Sequence, residues 1–205
     1  MRALVERSRE AAMSYEVVQV LSDAPAAPGL ALARDLGVAA RTLTPSQSSD
    51  RGALEREMAA AIDSCAPALI VLAGFMRILS ADFVARYAGR ILNIHPSLLP
   101  KFPGLHTHRR ALEAHEAQTG ATVHFVTAEL DGGPAIIQAS VKVQPGDDAE
   151  SLAARVQVLE HRIYPTAVHW YCAGRLHYRR GRAWLDGAAL SSPVQYADLE
   201  ASEDR

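Results

Sequence analysis

The 205-residue sequence has few of the features that mark secreted or membrane-spanning proteins. It contains only two cysteines, Cys65 and Cys172, which are far apart and match no metal-ligand spacing, so they are typical of reduced thiols in a cytoplasmic protein. No apolar run approaches the roughly 18 residues of a membrane span, and the first residues are too charged for a secretory signal. We therefore expect a cytoplasmic protein without a membrane partner.

Charge of one sign is also scarce. The 21 lysine and arginine residues nearly balance the 23 aspartate and glutamate residues, which gives a net charge of -2. Because nucleic-acid-binding proteins usually carry a basic excess, the sequence favours small-molecule partners and no nucleic acid. The hydrophobic fraction of 49% is typical of a globular chain with a buried core. The oligomeric state stays unknown from the sequence.

Short apolar runs alternate with helical patterns through most of the chain. The segment ALIVLAG (68–74) is apolar on both faces, which is typical of a strand in the middle of a parallel sheet covered by helices. The next strand is predicted at RILNI (90–94). The alternation predicts an α/β fold with three layers and a mostly parallel sheet.

A polar loop, NIHPSLLPKFPGLHTH (93–108), starts at the end of the second of these strands. In α/β sheets, ligands bind beyond the carboxyl ends of the strands. Asn93 and His95 are two residues apart and should point to the same side of an extended segment. An asparagine amide can donate to a carbonyl oxygen that gains charge, and a histidine titrates near neutrality. Three prolines stiffen the loop, and the pattern fits addition to a carbonyl group.

A carboxylate that could act on His95 is predicted in the segment ELDGGPAI (129–136), where Asp131 follows a predicted strand at 121–127. A carboxylate beside an imidazole favours its protonated form. Taken alone, each of these features has a simpler interpretation. An Asn-x-His at a strand end is more often an ordinary polar loop, and Asp-Gly-Gly is more often a plain turn.

Two other chemistries fit the sequence less well. His106 and His108, together with His95 or His124, suggest a zinc site, but no thiolate or nearby carboxylate completes a first shell. No serine or cysteine lies in a G-x-S-x-G nucleophile elbow. We therefore expect neither a bound metal nor a serine or cysteine nucleophile.

The sequence closely resembles the phosphoribosylglycinamide formyltransferase family of folate-dependent enzymes in four segments: VLAGFMRILS, GRILNIHPSLLPKFPGLHTHRRALE, GATVHFVTAELDGGPAIIQA and ARVQVLEHRIYP. The resemblance covers roughly residues 1–187, which it implies to be the formyltransferase domain with a Rossmann-like fold, and leaves 188–205 as a C-terminal tail. It also implies the reaction. The amine of 5′-phosphoribosylglycinamide attacks the formyl carbon of 10-formyltetrahydrofolate, the cosubstrate, and a tetrahedral intermediate collapses to the formylated product and tetrahydrofolate.

The resemblance further implies three groups of site residues. Asn93 would stabilise the oxyanion, His95 would act as general acid and proton shuttle, and Asp131 would favour protonated His95 and help to order a water. The folate would contact Arg51, Met76, Arg77, Ile78, Leu79, Asn93, Thr127, Ala128, Glu129, Leu130 and Asp131, with Arg51 near its charged tail. The ribonucleotide would contact Gln157, Val158, Leu159 and Glu160.

The start of the chain departs from the family pattern. The family begins with a strand and a glycine-rich loop that offers backbone N–H groups to the substrate phosphate. Here MRALVERSREA matches the first helix without that strand and loop. We expect Met1 to be an internal methionine of a longer protein; without the loop, the ribonucleotide should bind weakly.

Three alternative functions stay open. A formyltetrahydrofolate hydrolase shares the Asn, His and Asp arrangement but gives the formyl group to water, and it usually carries an extra regulatory domain. A methionyl-tRNA formyltransferase should be longer and bind nucleic acid. The third alternative is an inactive folate-binding remnant, which would retain folate affinity without catalysis.

Overall fold

The computed structural model describes residues 1–43 and 51–203 of the chain. Its contacts divide the chain into two units, Met1–Ala68 and Leu69–Arg205. Among the described residues, no helix is both long enough and apolar enough to cross a membrane.

The first unit contains two parallel strands with helices around them. Helix α2 begins with Pro28, whose fixed φ suits a first turn, and is followed by Gly37 in the left-handed conformation. It buries Leu30 and Ala33 and packs against both strands. The elements are α1 (Arg2–Arg7), β1 (Gln19–Ser22), α2 (Pro28–Asp35), β2 (Ala39–Thr42) and α3 (Arg51–Cys65).

The second unit contains a five-stranded sheet with the order β10-β6-β5-β4-β3 and a three-stranded sheet with the order β7-β8-β9. Its elements are β3 (Ile70–Leu72), α4 (Ala81–Arg86), β4 (Ile91–His95), α5 (Thr107–Glu113), β5 (Gln118–Phe125), β6 (Ala135–Lys142), α6 (Ala149–Cys172), β7 (Leu176–Arg179), β8 (Arg182–Leu185), β9 (Ala188–Ala189), β10 (Val194–Gln195) and α7 (Tyr196–Glu203).

The fold is α/β, as predicted, and its strands pair in both directions. The pairs β1–β2, β3–β4 and β6–β10 are parallel, whereas β5 runs antiparallel to both β4 and β6. The prediction that the run at 68–74 forms a strand in the middle of its sheet was wrong, because β3 ends the order of the five strands. Among residues 1–43 and 51–203, β4 is the one strand that pairs with β3, and all three residues of β3 are half-buried.

The core of the second unit lies between α6 and the middle strands. Helix α6 packs against β4, β5 and β6. It starts at a capping box in which Asp148 and Ser151 satisfy each other's backbone N–H groups, and it continues through Pro165 without a break. Because α6 packs against the middle strands, its central turns lie against the part of the sheet from which the polar loop extends. The fully buried side chains are Ile91, Leu92, Val123, Phe125, Ile136, Ile137, Leu152 and Ile163.

Residues 188–203, in the predicted tail, form regular structure. β10 pairs in parallel with β6, and α7 packs against both strands. The preceding β7 and β8 form an antiparallel hairpin. The predicted boundary after residue 187 lies inside the second unit and stays a prediction.

Candidate active site

Four polar side chains meet around the end of β4. The Nδ1 atom of His95 lies 3.4 Å from Oδ2 of Asp131, and Nε2 of His124 lies 3.7 Å from Oδ1 of the same carboxylate. Nδ2 of Asn93 lies 3.2 Å from Nε2 of His124. The three residues predicted as catalytic therefore lie in one cluster, together with a second histidine.

The strands explain how Asn93, His95 and His124 come together. Asn93 and His95 are alternate residues of β4 and share one side of the strand. Asn93 is paired with His124 across the antiparallel β4–β5 ladder, and side chains of directly paired residues lie close together.

The Asp-Gly-Gly turn holds Asp131 against this cluster. Asp131 has a φ of 51°, a left-handed conformation that aspartate adopts more readily than most residues. A Cβ atom on Gly133 would lie 1.8 Å from the carbonyl oxygen of Phe125, so only glycine lets the turn approach the end of β5 this closely. The backbone N–H of Gly104 donates to Oδ2 of Asp131 at 2.8 Å and orients the carboxylate.

His95 has an acceptor at each ring nitrogen. Nε2 lies 2.8 Å from the carbonyl oxygen of Phe102, and Nδ1 faces Asp131. A carbonyl oxygen can only accept, so Nε2 carries a proton. The protonated ring can donate on both sides, which makes His95 a suitable proton donor.

His124 is in the opposite situation. Its Nδ1 lies 2.9 Å from the carbonyl oxygen of Phe125, to which it donates. Burial lowers the pKa of His124, which favours the neutral ring. The unprotonated Nε2 then accepts from the amide of Asn93. One of the two amide N–H groups of Asn93 is used in this way, and the other can serve a substrate.

Buried side chains of β5 and β6 hold the loop after β4. The Thr122 hydroxyl donates to the Ser97 carbonyl at 2.7 Å and accepts from the Leu99 N–H at 3.0 Å. The Gln138 amide donates to the Leu99 carbonyl at 2.8 Å and to the Thr122 hydroxyl at 2.9 Å. The Ser97 hydroxyl donates to the Lys101 carbonyl at 2.6 Å. The loop that carries Phe102 and Gly104 is thus fixed from the sheet.

The predicted folate residues of the second unit lie in two segments that expose apolar side chains. Met76 and Ile78, which follow β3, are 78% and 58% exposed, and Leu130 is 53% exposed. Simple core packing does not explain these three side chains. Leu79 is buried, Thr127 is half-buried, and Arg77, Ala128 and Glu129 are exposed. Arg51 begins α3, but its side chain lies outside the described part of the chain.

The predicted ribonucleotide residues lie in the middle of α6. Gln157 and Val158 are exposed, whereas Leu159 and Glu160 are half-buried. Burial raises the pKa of Glu160, so its ionised form is less stable than that of an exposed glutamate.

The sequence predictions gave no role to two histidines except in the zinc alternative. His124 was missed because the residue opposite it in the sheet depends on the direction of β5, which the sequence patterns do not give. His108 has a buried Nδ1 atom without a hydrogen-bond partner among the described residues, and burial, followed by the charge of nearby His95, lowers its pKa. Within residues 1–43 and 51–203, no group of three or more His, Cys, Asp or Glu side chains is placed to hold a metal ion.

An amide donor, an imidazole and a carboxylate around the end of a strand in an α/β sheet suit an enzyme that acts on a carbonyl group. The formyl transferase family matches residues 1–168, and the chain belongs to this family. The resemblance identified from the sequence is thereby confirmed.

Individual relatives agree with this assignment. The chain is 50% identical over 197 residues to a phosphoribosylglycinamide formyltransferase of Escherichia coli (strain K12), covering 96% of this chain and 92% of that protein. A solved structure of a phosphoribosylglycinamide formyltransferase from Coxiella burnetii has a TM-score of 0.88 and 41% identity, covering 94% of this chain and 92% of that one. A formyltetrahydrofolate deformylase from Burkholderia mallei has a TM-score of 0.79 and 28% identity, covering 90% of this chain but 64% of that one. The comparisons therefore favour a transferase over a hydrolase.

Proposed function

We propose that the protein transfers the formyl group of 10-formyltetrahydrofolate to the amine of 5′-phosphoribosylglycinamide, a step of purine synthesis in the cytoplasm. The contacts that join Asn93, His124, Asp131 and His95 carry this proposal. They provide an oxyanion donor and a proton donor within one cluster, without a metal. The names of the relatives support the choice of substrates.

The first step is attack of the substrate amine on the formyl carbon. The formyl oxygen gains negative charge as the tetrahedral intermediate forms, and the N–H of Asn93 that His124 does not use donates to it. A donor fixed in advance stabilises such a charge because it need not reorganise during the reaction. His124 holds the amide of Asn93 in the required orientation.

The second step is collapse of the intermediate with proton transfer. The attacking nitrogen loses a proton, and the departing folate nitrogen gains one as the bond between carbon and folate breaks. Protonated His95 supplies the proton to the leaving nitrogen, and Asp131 balances the charge of the imidazolium. Asp131 also orders a water that returns the proton of the amine to His95.

The two substrates occupy the two predicted groups of residues. The exposed apolar side chains of Met76, Ile78 and Leu130 pack on the flat pterin ring, while backbone groups of 127–131 bind its polar edge. The contact of Arg51 with the charged folate tail stays a prediction from the resemblance. Gln157 to Glu160 on α6 bind the ribonucleotide.

A steady-state assay with both substrates tests the proposal. The wild-type protein should form tetrahydrofolate and formylated ribonucleotide in equal amounts. His95→Asn should lower turnover by about 100- to 10,000-fold, because the general acid is lost, while folate affinity stays unchanged. Release of tetrahydrofolate at the same rate without the ribonucleotide would identify a hydrolase, and folate binding without turnover would identify an inactive remnant.

A further inference from the structure

The hydroxyl of Tyr164 joins two neighbouring parallel strands, at the last residue of β3 and the second residue of β4. It lies 2.8 Å from the carbonyl oxygen of Leu72 and 2.9 Å from that of Leu92. Tyr164 is 5% exposed, and burial raises its pKa well above the usual range. The hydroxyl therefore stays protonated, and its single proton is shared between the two carbonyl groups.

Both carbonyl groups adjoin residues that take part in the proposed reaction. Leu72 is the last residue of β3, and the chain continues from it to Met76–Leu79 of the proposed folate site. Leu92 precedes Asn93 in β4, and Leu72 is paired with Asn93 across the β3–β4 ladder. A change in the spacing of these two strands at this point would move the folate segment relative to the oxyanion donor.

Tyr164 also connects these two strands to the helix of the proposed ribonucleotide site. It lies four residues after Glu160 in α6, so both side chains share one side of the helix. The charge of Glu160 contributes to the raised pKa of Tyr164, after burial, which indicates that the two groups are near one another.

We infer that Tyr164 is a positioning residue for formyl transfer, whose hydroxyl holds β3 and β4 against α6 so that the formyl donor, Asn93 and the ribonucleotide are aligned. The inference rests on the proposed function. It assigns Tyr164 no contact with substrate and no proton transfer.

Alignment is sensitive to small displacements. Reacting groups must approach to about 3–3.5 Å in the correct orientation, and a shift of about 1 Å can lower the rate about 100-fold. Phenylalanine at position 164 would keep the packing of the ring but remove the donor that the two carbonyl groups share. The two strands would then shift relative to α6, and the effect should fall on turnover more than on binding.

Four proteins test the inference: wild type, Tyr164→Phe, a variant with 4-aminophenylalanine at position 164, and Tyr171→Phe. Tyr171 is the matched control, because it lies on the same helix and its ring packs edge-on against Phe125 of β5. Tyr164→Phe should lower kcat about 10- to 100-fold, with both KM values within about threefold of wild type. The amino group of 4-aminophenylalanine can donate to both carbonyl groups and should restore most of kcat, and Tyr171→Phe should resemble wild type.

Each outcome is decisive. An active wild type with an unchanged kcat in Tyr164→Phe overturns the inference but leaves the proposed function intact. If Tyr164→Phe fails to fold and 4-aminophenylalanine restores only stability, the hydroxyl is a folding determinant and the inference is wrong. A wild type that does not transfer the formyl group refutes the proposed function itself.

Discussion

In the cluster, the groups that surround each residue determine its role. His95 and His124 are both buried, but His95 faces acceptors at both nitrogens, whereas His124 faces an acceptor at Nδ1 and an amide donor at Nε2. The first arrangement suits an imidazolium and the second a neutral ring. Within one pair of strands, one histidine is thus suited to give up a proton and the other to orient a donor.

Asp131→Asn tests the pairing of Asp131 with His95. The amide lacks the negative charge that stabilises the protonated ring. The protonated ring loses its charge partner in the variant, so kcat should fall by up to about 100-fold. Steady-state kinetics at a single pH measure this loss, and an unchanged kcat in the variant would contradict the pairing. Thermal unfolding of both proteins controls for loss of folded enzyme.

The stability of the protein should depend on pH through His124. Burial lowers its pKa in the folded state, whereas in the unfolded chain a histidine titrates near 6.5, roughly. As the pH falls below that value, the unfolded chain gains a proton that the folded state does not bind, so the free energy of unfolding decreases. In His124→Gln this contribution disappears, and urea unfolding should show a weaker pH dependence between about pH 7 and 5. An identical slope in both proteins would rule out a buried neutral His124.

Among the elements, the sequence patterns located strand ends better than strand directions. The polar loop comes after β4 as predicted, because an apolar run followed by prolines marks a strand end, but residues 93–95 belong to the strand. The strand predicted at 121–127 forms part of β5, which begins earlier, at Gln118. The direction of β5 depends on its pairing with β4, which local patterns do not encode. His124 therefore lay outside the predicted catalytic set, although its partner Asn93 was in it.

Gly133→Ala tests whether the turn after β5 positions Asp131. The new Cβ would lie 1.8 Å from the Phe125 carbonyl oxygen, so the backbone must move. We expect a loss of about 1–3 kcal/mol in the free energy of unfolding and a lower kcat, because Asp131 moves with the turn. Urea unfolding and steady-state kinetics measure the two effects.

Gly132→Ala is the matched control for this turn. There the new Cβ would meet the exposed side chain of Glu129 at 2.4 Å, and that side chain can move away. The control should lose less stability and less activity than Gly133→Ala. Equal effects of the two substitutions would show that close approach to β5 is not what holds Asp131.

For the molecule as a whole, the assigned chemistry lies almost entirely in the second unit. The cluster, Tyr164 and the ribonucleotide residues all belong to Leu69–Arg205, and Arg51 is the one assigned residue in Met1–Ala68. The same unit keeps a partly buried carboxylate, Glu160, on the helix that packs against its central strands. The proposed binding of the ribonucleotide and the stability of the fold therefore make opposite demands on Glu160.

Glu160→Gln should separate these demands. Because burial raises the pKa of Glu160, the folded state binds a proton more readily than the unfolded chain, and ionisation lowers stability as the pH rises through the folded-state value. The neutral amide has nearly the same shape and avoids this penalty, so the variant should be more stable than wild type at pH 7. It should lose that advantage near pH 4, where an unfolded glutamate is itself largely protonated.

The substitution should also weaken binding of the ribonucleotide. Loss of a charged partner should raise the KM for the ribonucleotide about 10- to 100-fold, with folate affinity unchanged. Thermal unfolding at the two pH values measures the effect on stability, and steady-state kinetics at pH 7 measure the effect on binding. The role assigned to Glu160 would be contradicted by a variant that is less stable than wild type at pH 7, or by one that binds the ribonucleotide as well as wild type.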